Sequence, residues 1–281
     1  METKTNNINF FKKIYFSIYK IKEYGTLAKN GVKKSAYYIM DLIVICSIIY
    51  ASLLTFQMKS NAGKLQEYLE ANFPNLTYEN NQLISETEGR VILNDKLVEA
   101  NFGGQIIIDT SVNSETIIKE FENVVKPIIL FSSDKYITIN SQGTVVEYDY
   151  SDIFGQNLKD GEVIGKEYFT DMINNISYSY YFFGYLLGSC IGTSILIFLY
   201  NLLIVLVTFA FCKIKKIKVK FGEIYSIGLY ANTISVFAYF IMVFLPTTVG
   251  VYVQLLALLI PIVYLIYAVY MNKWKMPENL S

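Results

Sequence analysis

Histidine is absent from the chain. Without an imidazole there is no His metal ligand, no Ser-His-Asp or Cys-His activation of a nucleophile, and no side chain whose ordinary pKa lies near neutrality. Cysteine is scarce: Cys46, Cys190 and Cys212 are the 3 in the chain, and each falls in or at the edge of an apolar run. The stretch from Gln57 to Ser177 has none, so no disulfide closes within it and its stability must come from burial. Gly-x-Ser-x-Gly and His-Glu-x-x-His signatures are missing as well. These absences point away from an enzyme, and no catalytic residue, cofactor or metal site is expected.

What the chain has is apolar surface. Hydrophobic residues make up 53% of its 281 positions and charged residues only 17%, which places it in the membrane class. The formal charge is zero but unevenly distributed. Gln57 to Ser177 carries 19 acidic and 9 basic residues, whereas the rest carries 15 lysines and 5 acids. Two environments are implied, one acidic and one basic. No nucleic-acid partner is expected; the bilayer is the first partner the composition implies.

A hydrocarbon core about 30 Å thick calls for roughly 20 apolar residues in one helix, because backbone groups left unpaired in lipid are too costly. Residues 36–56, 178–211, 221–244 and 249–270 meet that need. The last two are separated by LPTTVG, an uncharged stretch that predicts a tight external turn at 245–248. Lysine orients all four. Eight lysines precede the first span, five (Lys213, Lys215, Lys216, Lys218 and Lys220) fill the loop 212–220, and Lys273 and Lys275 lie in the tail 271–281. By the positive-inside rule these all face the cytoplasm, with both termini, and residues 57–177 face outward.

The cytoplasmic arm, residues 1–35, contains INFFKKIYFSIYKIKEY. Phe11, Ile14, Tyr15, Ile18 and Ile21 recur at helical spacing with Lys12, Lys13 and Lys20 between them, which predicts a basic amphipathic helix on the inner membrane surface. A docking surface for a partner is the second reading of the same pattern.

Within 57–177 the pattern is mixed. KLQEYLEANF from Lys64 reads as a helix leaving the membrane, and SETIIKEFENVV from Ser114 as a capped helix. GQIIIDT, PIILFSS, KYITINS and TVVEYDY read as strands, with Ser141-Gln142-Gly143 as the turn between the last two. VIGKEYFTDMINNIS can form a helix that runs into the second span. The expected fold is therefore a four-helix membrane protein with an α+β extracytoplasmic domain inserted between helices 1 and 2. Asp109, Asp149 and Asp152 are candidate metal or acid–base carboxylates, but DYSDIFG lacks the ligand density of a calcium loop. A solvated acidic surface is the expectation.

Small and polar residues mark the spans. Gly184, Gly188 and Gly192 form a stripe four residues apart, which predicts close helix packing, internal or in a homodimer. Asn201 lies ten residues before Phe211 and Asn232 eleven after Phe221, so both sit at about 15–17 Å from the inner boundary of an antiparallel hairpin and are expected to face one another. Asp41 and Glu223 lie near the inner ends of their spans, where ion pairs to Lys33, Lys34, Lys218 or Lys220 are expected. Pro261 predicts a kink in the fourth span.

FFKKIYFSIYK at Phe10–Lys20, GVKKSAYYI entering the first span, IIID ending at Asp109, and a long insertion before three closing spans together resemble a bacterial membrane family, domain-of-unknown-function family 1189. Some members carry the name maltodextrin-utilisation protein, and the group is loosely similar to the Yip-type membrane proteins. Where the family runs into a Ser-Pro-Lys-like turn, this chain has Lys20-Ile21-Lys22. The resemblance implies a bacterial cytoplasmic membrane and an association with sugar uptake, and carries over no catalytic residue. A non-enzymatic accessory or scaffold for envelope or transport proteins is the leading expectation. The alternative is an extracytoplasmic sensor or uptake accessory for a small molecule, including an oligosaccharide.

Overall fold

The computed structural model describes residues 8–29, 31–121, 126–155, 158–165, 170–171 and 173–271. Outside these lie the start of the arm, the end of SETIIKEFENVV, residues 166–169 and 172 of the segment expected to lead into the second span, and the tail with Lys273, Trp274 and Lys275. The described part of that segment opens in a strand (Glu162–Ile164) and is not helical at 175–177, so no unbroken helix runs from it into the span. The chain divides into two units, Met1–Thr55 with Ser179–Ser281, and Phe56–Tyr178.

The first unit is helical. Helix α1 (Phe10–Tyr19) starts where the Asn9 side chain accepts from the Lys12 N–H at 2.8 Å. A 3₁₀ turn (Ile21–Glu23) and the short α2 (Tyr24–Ala28) lead to α3 (Gly31–Asn72). The turn therefore forms at Lys20-Ile21-Lys22 without a proline. Helix α3 has 42 residues, about 63 Å at 1.5 Å per residue, so the first span and the KLQEYLEANF helix are one continuous element.

After the second unit come α7 (Tyr178–Ile214), α8 (Phe221–Ala231), α9 (Thr233–Met242) and α10 (Thr247–Met271). Among the described residues, four helical stretches are long and apolar enough to cross a membrane: α3, α7, α8 with α9, and α10. The third span differs from the expected single helix, because it breaks at Asn232 and ends at Met242 rather than 244. Asn232 keeps helical dihedrals (φ −72°, ψ −2°), and its N–H is directed to the carbonyls of Gly228 and Tyr230.

Pro261 lies inside α10. A proline has no N–H for the carbonyl four residues back, here that of Ala257. Ser235 on α9 fills the gap, its hydroxyl donating to Ala257 O at 2.6 Å, and the Tyr200 hydroxyl on α7 donates to the next carbonyl, Leu258 O. Hydroxyls from two neighbouring helices thus satisfy the carbonyls around the proline, as a polar group in hydrocarbon requires.

The second unit holds two sheets. Strands β1 (Leu76–Glu79) and β2 (Gln82–Ser85) form a hairpin over Asn80 and Asn81, whose positive φ values of 52° and 61° suit a type I′ turn. Strand β8 (Glu162–Ile164) pairs with β1, giving the order β2-β1-β8. The larger sheet runs β3-β4-β5-β6-β7: β3 (Val91–Leu93), β4 (Gln105–Ile108), β5 (Ile128–Phe131), β6 (Tyr136–Ile139) and β7 (Val145–Tyr148). Helix α4 (Lys96–Phe102) joins β3 to β4, and α6 (Tyr150–Phe154) follows β7. Among the described strands only β4 and β5 pair in parallel, because the chain between them crosses over through α5 (Ser114–Phe121).

Side-chain alternation explains the unbroken IIID run. Ile106 and Ile108 enter a core with Leu69, Leu76, Leu83 and Tyr150, while Ile107 points the other way into a core with Ile117 of α5, Leu130 and Ile137. A strand buried on both faces needs apolar residues at every position.

Candidate functional site

The helical unit concentrates its buried polar groups where α7 crosses the break between α8 and α9. Thr193, Ile197, Asn201, Thr208 and Cys212 recur along α7 at intervals of four or seven residues and are all buried. Asn232 donates its Nδ2–H to Asn201 Oδ1 at 3.2 Å and to Gly228 O at 2.9 Å, and Asn201 donates to Tyr225 O at 3.2 Å. Gly228 permits this approach. A Cβ there would fall 2.2 Å from Asn201 Oδ1 and 3.0 Å from a Val205 methyl. Nothing in the pattern of the third span marks Gly228 beforehand; the only sign is a glycine one turn before an intramembrane asparagine.

One residue further, Thr233 Oγ1 lies 2.9 Å from the Tyr38 hydroxyl of α3, and the Tyr38 ring packs 5.0 Å from that of Tyr230. An amide pair and a hydroxyl pair therefore bracket the helix break. The cluster is neutral and its main bonds are internal, so chemically it is a latch that fixes α3, α7 and the broken span together. Hydrogen bonds of this kind add about 0.6 kcal/mol each on average in membrane helices.

The arm closes over one end of this unit. Phe10 of α1 lies 5.7 Å from the Tyr38 ring, Ile14 packs on the same core, and Lys13 Nζ sits 6.0 Å over Tyr38. The Ser17 carbonyl accepts from the Tyr24 hydroxyl, and Tyr264 of α10 donates to Ile18 O at 3.2 Å. Of the five residues assigned to a membrane-interface arm, Ile14, Ile18 and Lys13 thus turn toward the protein, and only Phe11 and Lys12 are fully exposed. The apolar stripe is split: one side docks on the bundle, while Phe11, Tyr15 and Tyr19 remain 79%, 48% and 74% exposed.

One further expectation is narrowed and two are corrected. Gly184, Gly188 and Gly192 are exposed, and a Cβ added at any of them meets nothing within 4 Å, so the stripe does not pack within the chain. The packed stripe of α7 begins one residue away, at Thr193. Asp41 is exposed and makes no ion pair among the described residues. Glu223 accepts from the backbone N–H of Lys220 at 3.0 Å, capping α8 rather than pairing with a lysine side chain.

In the second unit the acidic groups gather where parallel strands β4 and β5 end, the customary place for a ligand in an open α/β sheet. Asp109 follows β4 and accepts from Arg90 Nε at 2.9 Å and from the Ser111 N–H and hydroxyl. Burial pushes its pKa up, but these hydrogen bonds outweigh burial and hold it below the usual carboxylate range. Arg90 also reaches Glu120 at 2.7 Å. Asp134 follows β5 and accepts from the Ser114 N–H at 2.7 Å, the Ser114 hydroxyl and the Ser132 hydroxyl, with a pKa again lowered against the effect of burial. The capping expected of Ser114 belongs instead to Asn113, whose side chain accepts from Thr116 N. Asp149 pairs with Lys135.

These carboxylates brace the loops rather than standing free. No group of three potential metal ligands occurs among the described residues. A hollow of about 160 Å³ bordered by Asn94, Glu99, Gln105 and Lys126 is smaller than the roughly 300–1,000 Å³ of typical small-molecule sites.

With that geometry in hand, comparison with known proteins gives one match. The model of a family described as "Protein of unknown function (DUF1189)" matches residues 11–269. No curated protein and no solved structure matches the chain.

Proposed function

The chain belongs to the DUF1189 family, and we propose that it serves as a non-enzymatic accessory or scaffold for transport or envelope proteins. In this reading it spans the bacterial cytoplasmic membrane with both termini inside and residues 57–177 outside. The lysines flanking the four apolar helices support that orientation.

The observation that carries the accessory role is the arm. Helix α1 is fastened to the bundle through Phe10, Ile14 and Ser17, which leaves Phe11 and Tyr15 projecting one helical turn apart on a fixed support. Aromatic side chains held rigid lose little entropy on contact and dominate protein interfaces. The occupant we assign is an amphipathic or juxtamembrane segment of a membrane partner.

Affinity purification of the full chain from its native membrane, with an untagged control, tests this. A stoichiometric partner retained by the parent chain and lost in F11A/Y15A supports the role. If that partner is a transporter subunit, the sugar-uptake association gains its first support. Recovery of the chain alone, or a partner held equally by the variant, rejects the arm as the docking element.

A further inference from the structure

Two hollows meet along α10 at the lysine-rich end of the helical unit. The first, about 440 Å³, lies between α7 and α10 and is lined by Phe211, Ile217, Val263, Ile266 and Tyr270. It continues, through shared Thr208, Phe211 and Ile266, into a further lobe of about 310 Å³ beside Leu203, Val207 and Ile262. From Ile262 to Tyr270 is about 12 Å along the helix. The walls are hydrocarbon and aromatic, and the Thr208 hydroxyl is already bonded to Ile204 O at 2.8 Å.

The second hollow, about 630 Å³, lies between the 3₁₀ turn and α10, bordered by Tyr19, Lys20, Lys22, Glu23 and Tyr264. Val263 and Tyr267 line both hollows, so one ridge of α10 separates an apolar groove from a polar one. The Tyr264 bond to Ile18 O fastens the arm to α10 beside this second hollow.

The charge at this end is one-sided. Lys20 and Lys22 are exposed on the arm, and Lys216 and Lys218 are exposed on either side of groove-lining Ile217. Glu23 is the one carboxylate among the residues lining these hollows. None of the four lysines forms an ion pair among the described residues; Lys20 Nζ lies 5.8 Å over the rings of both Tyr15 and Phe16. A hydrocarbon groove joined to four unpaired ammonium groups calls for a ligand that is apolar at one end and anionic at the other.

We propose that this is a binding site for a single anionic glycerophospholipid, with an acyl chain between α7 and α10 and its phosphate end at Lys20 and Lys22. Polybasic rims near a membrane surface attract anionic headgroups by about 1 kcal/mol per lysine, which is about fivefold in affinity for each. The groove adds what a soluble anion lacks. The inference requires the four apolar helices to lie in a bilayer, and it is independent of the accessory role.

The test is native mass spectrometry of the full chain, purified and delipidated in mild detergent, then titrated with dioleoylphosphatidylglycerol or dioleoylphosphatidylcholine. The expected result is at least tenfold tighter binding of the anionic lipid. K20Q/K22Q should remove most of that preference, weakening phosphatidylglycerol binding far more than that of phosphatidylcholine, whose choline cation already offsets its phosphate. I266W, at a half-exposed groove position, should weaken both lipids. K33Q/K34Q removes the same charge from exposed α3 positions outside the hollows and should change neither. Equal affinity for the two lipids overturns the proposal. So does a K33Q/K34Q loss as large as that of K20Q/K22Q, since that would mark diffuse attraction, and so does unaltered binding by I266W. Melting temperatures of all variants, read alongside, separate a lost site from a lost fold.

Discussion

Asn232 and Asn201 share a hydrogen bond of 3.2 Å across a contact that only a glycine at 228 allows. Replacing Gly228 with alanine drives a methyl into Asn201 and Val205, so either the amide bond breaks or α7 and α8 separate. Overpacking of this kind costs about 1–3 kcal/mol. G228A is expected to lower the melting temperature in detergent. G188A, at an open position where alanine also has the higher helix propensity, is expected to leave it unchanged or raise it. Equal effects of the two substitutions would remove the packing role assigned to Gly228.

Equal depth in an antiparallel hairpin is enough to bring Asn201 and Asn232 opposite one another on paper, because rise per residue is nearly invariant. Which side of a helix faces the bundle is harder. The glycine stripe and the packed stripe of α7 differ by one residue, Gly192 against Thr193, and hydropathy does not separate faces of a helix that is apolar all round. In the arm the docked face includes buried Ser17 while Phe11 and Tyr15 stay exposed, which apolar spacing does not signal because a serine counts as polar. The Asn80–Asn81 turn is illegible in the sequence for a different reason. Its strands have four residues each, too few for a period-two pattern to stand out.

Pro261 and Ser235 form a second coupled pair. If the Ser235 hydroxyl is needed because proline leaves Ala257 O without a helical donor, then S235A should cost about 1 kcal/mol in the parent chain. In a P261A background, where the helix supplies its own N–H, the same substitution should cost much less. A double-mutant cycle on thermal stability measures the difference directly, and additive effects would show that the two residues act independently.

Acid should loosen the second unit through Asp109 and Asp134. Both carboxyls titrate below their unfolded values, so the stability they contribute is complete above about pH 4, the unfolded carboxylate range, and is lost as pH falls through the folded values. Circular dichroism melts of the full chain should therefore be flat in this respect from pH 7 to 5 and fall toward pH 3. D109N, with Arg90 left half-paired, should be less stable at pH 7 by roughly 1–3 kcal/mol and should lose less on acidification. A variant with the parent's acid sensitivity would assign the effect to other carboxylates.

Orientation can be read from cysteine reactivity, because the natural thiols sit inside the helical unit: Cys46 and Cys212 are buried and Cys190 is partly covered. In a background with all three replaced by serine, Q142C lies on the exposed turn between β6 and β7, and K215C lies just past the end of α7. With residues 57–177 outside, a membrane-impermeant maleimide added to intact cells labels Q142C alone, and K215C reacts only after the membrane is opened. The reverse pattern would invert the protein and move its lysines to the outer face. Labelling of both positions in intact cells would mean that the crossings are not those of α3, α7, the broken helix and α10. The first pattern also decides where the anionic lipid must come from, since Lys215 adjoins the basic loop residues Lys216 and Lys218 that rim the groove: a cytoplasmic position for K215C requires a lipid of the inner leaflet.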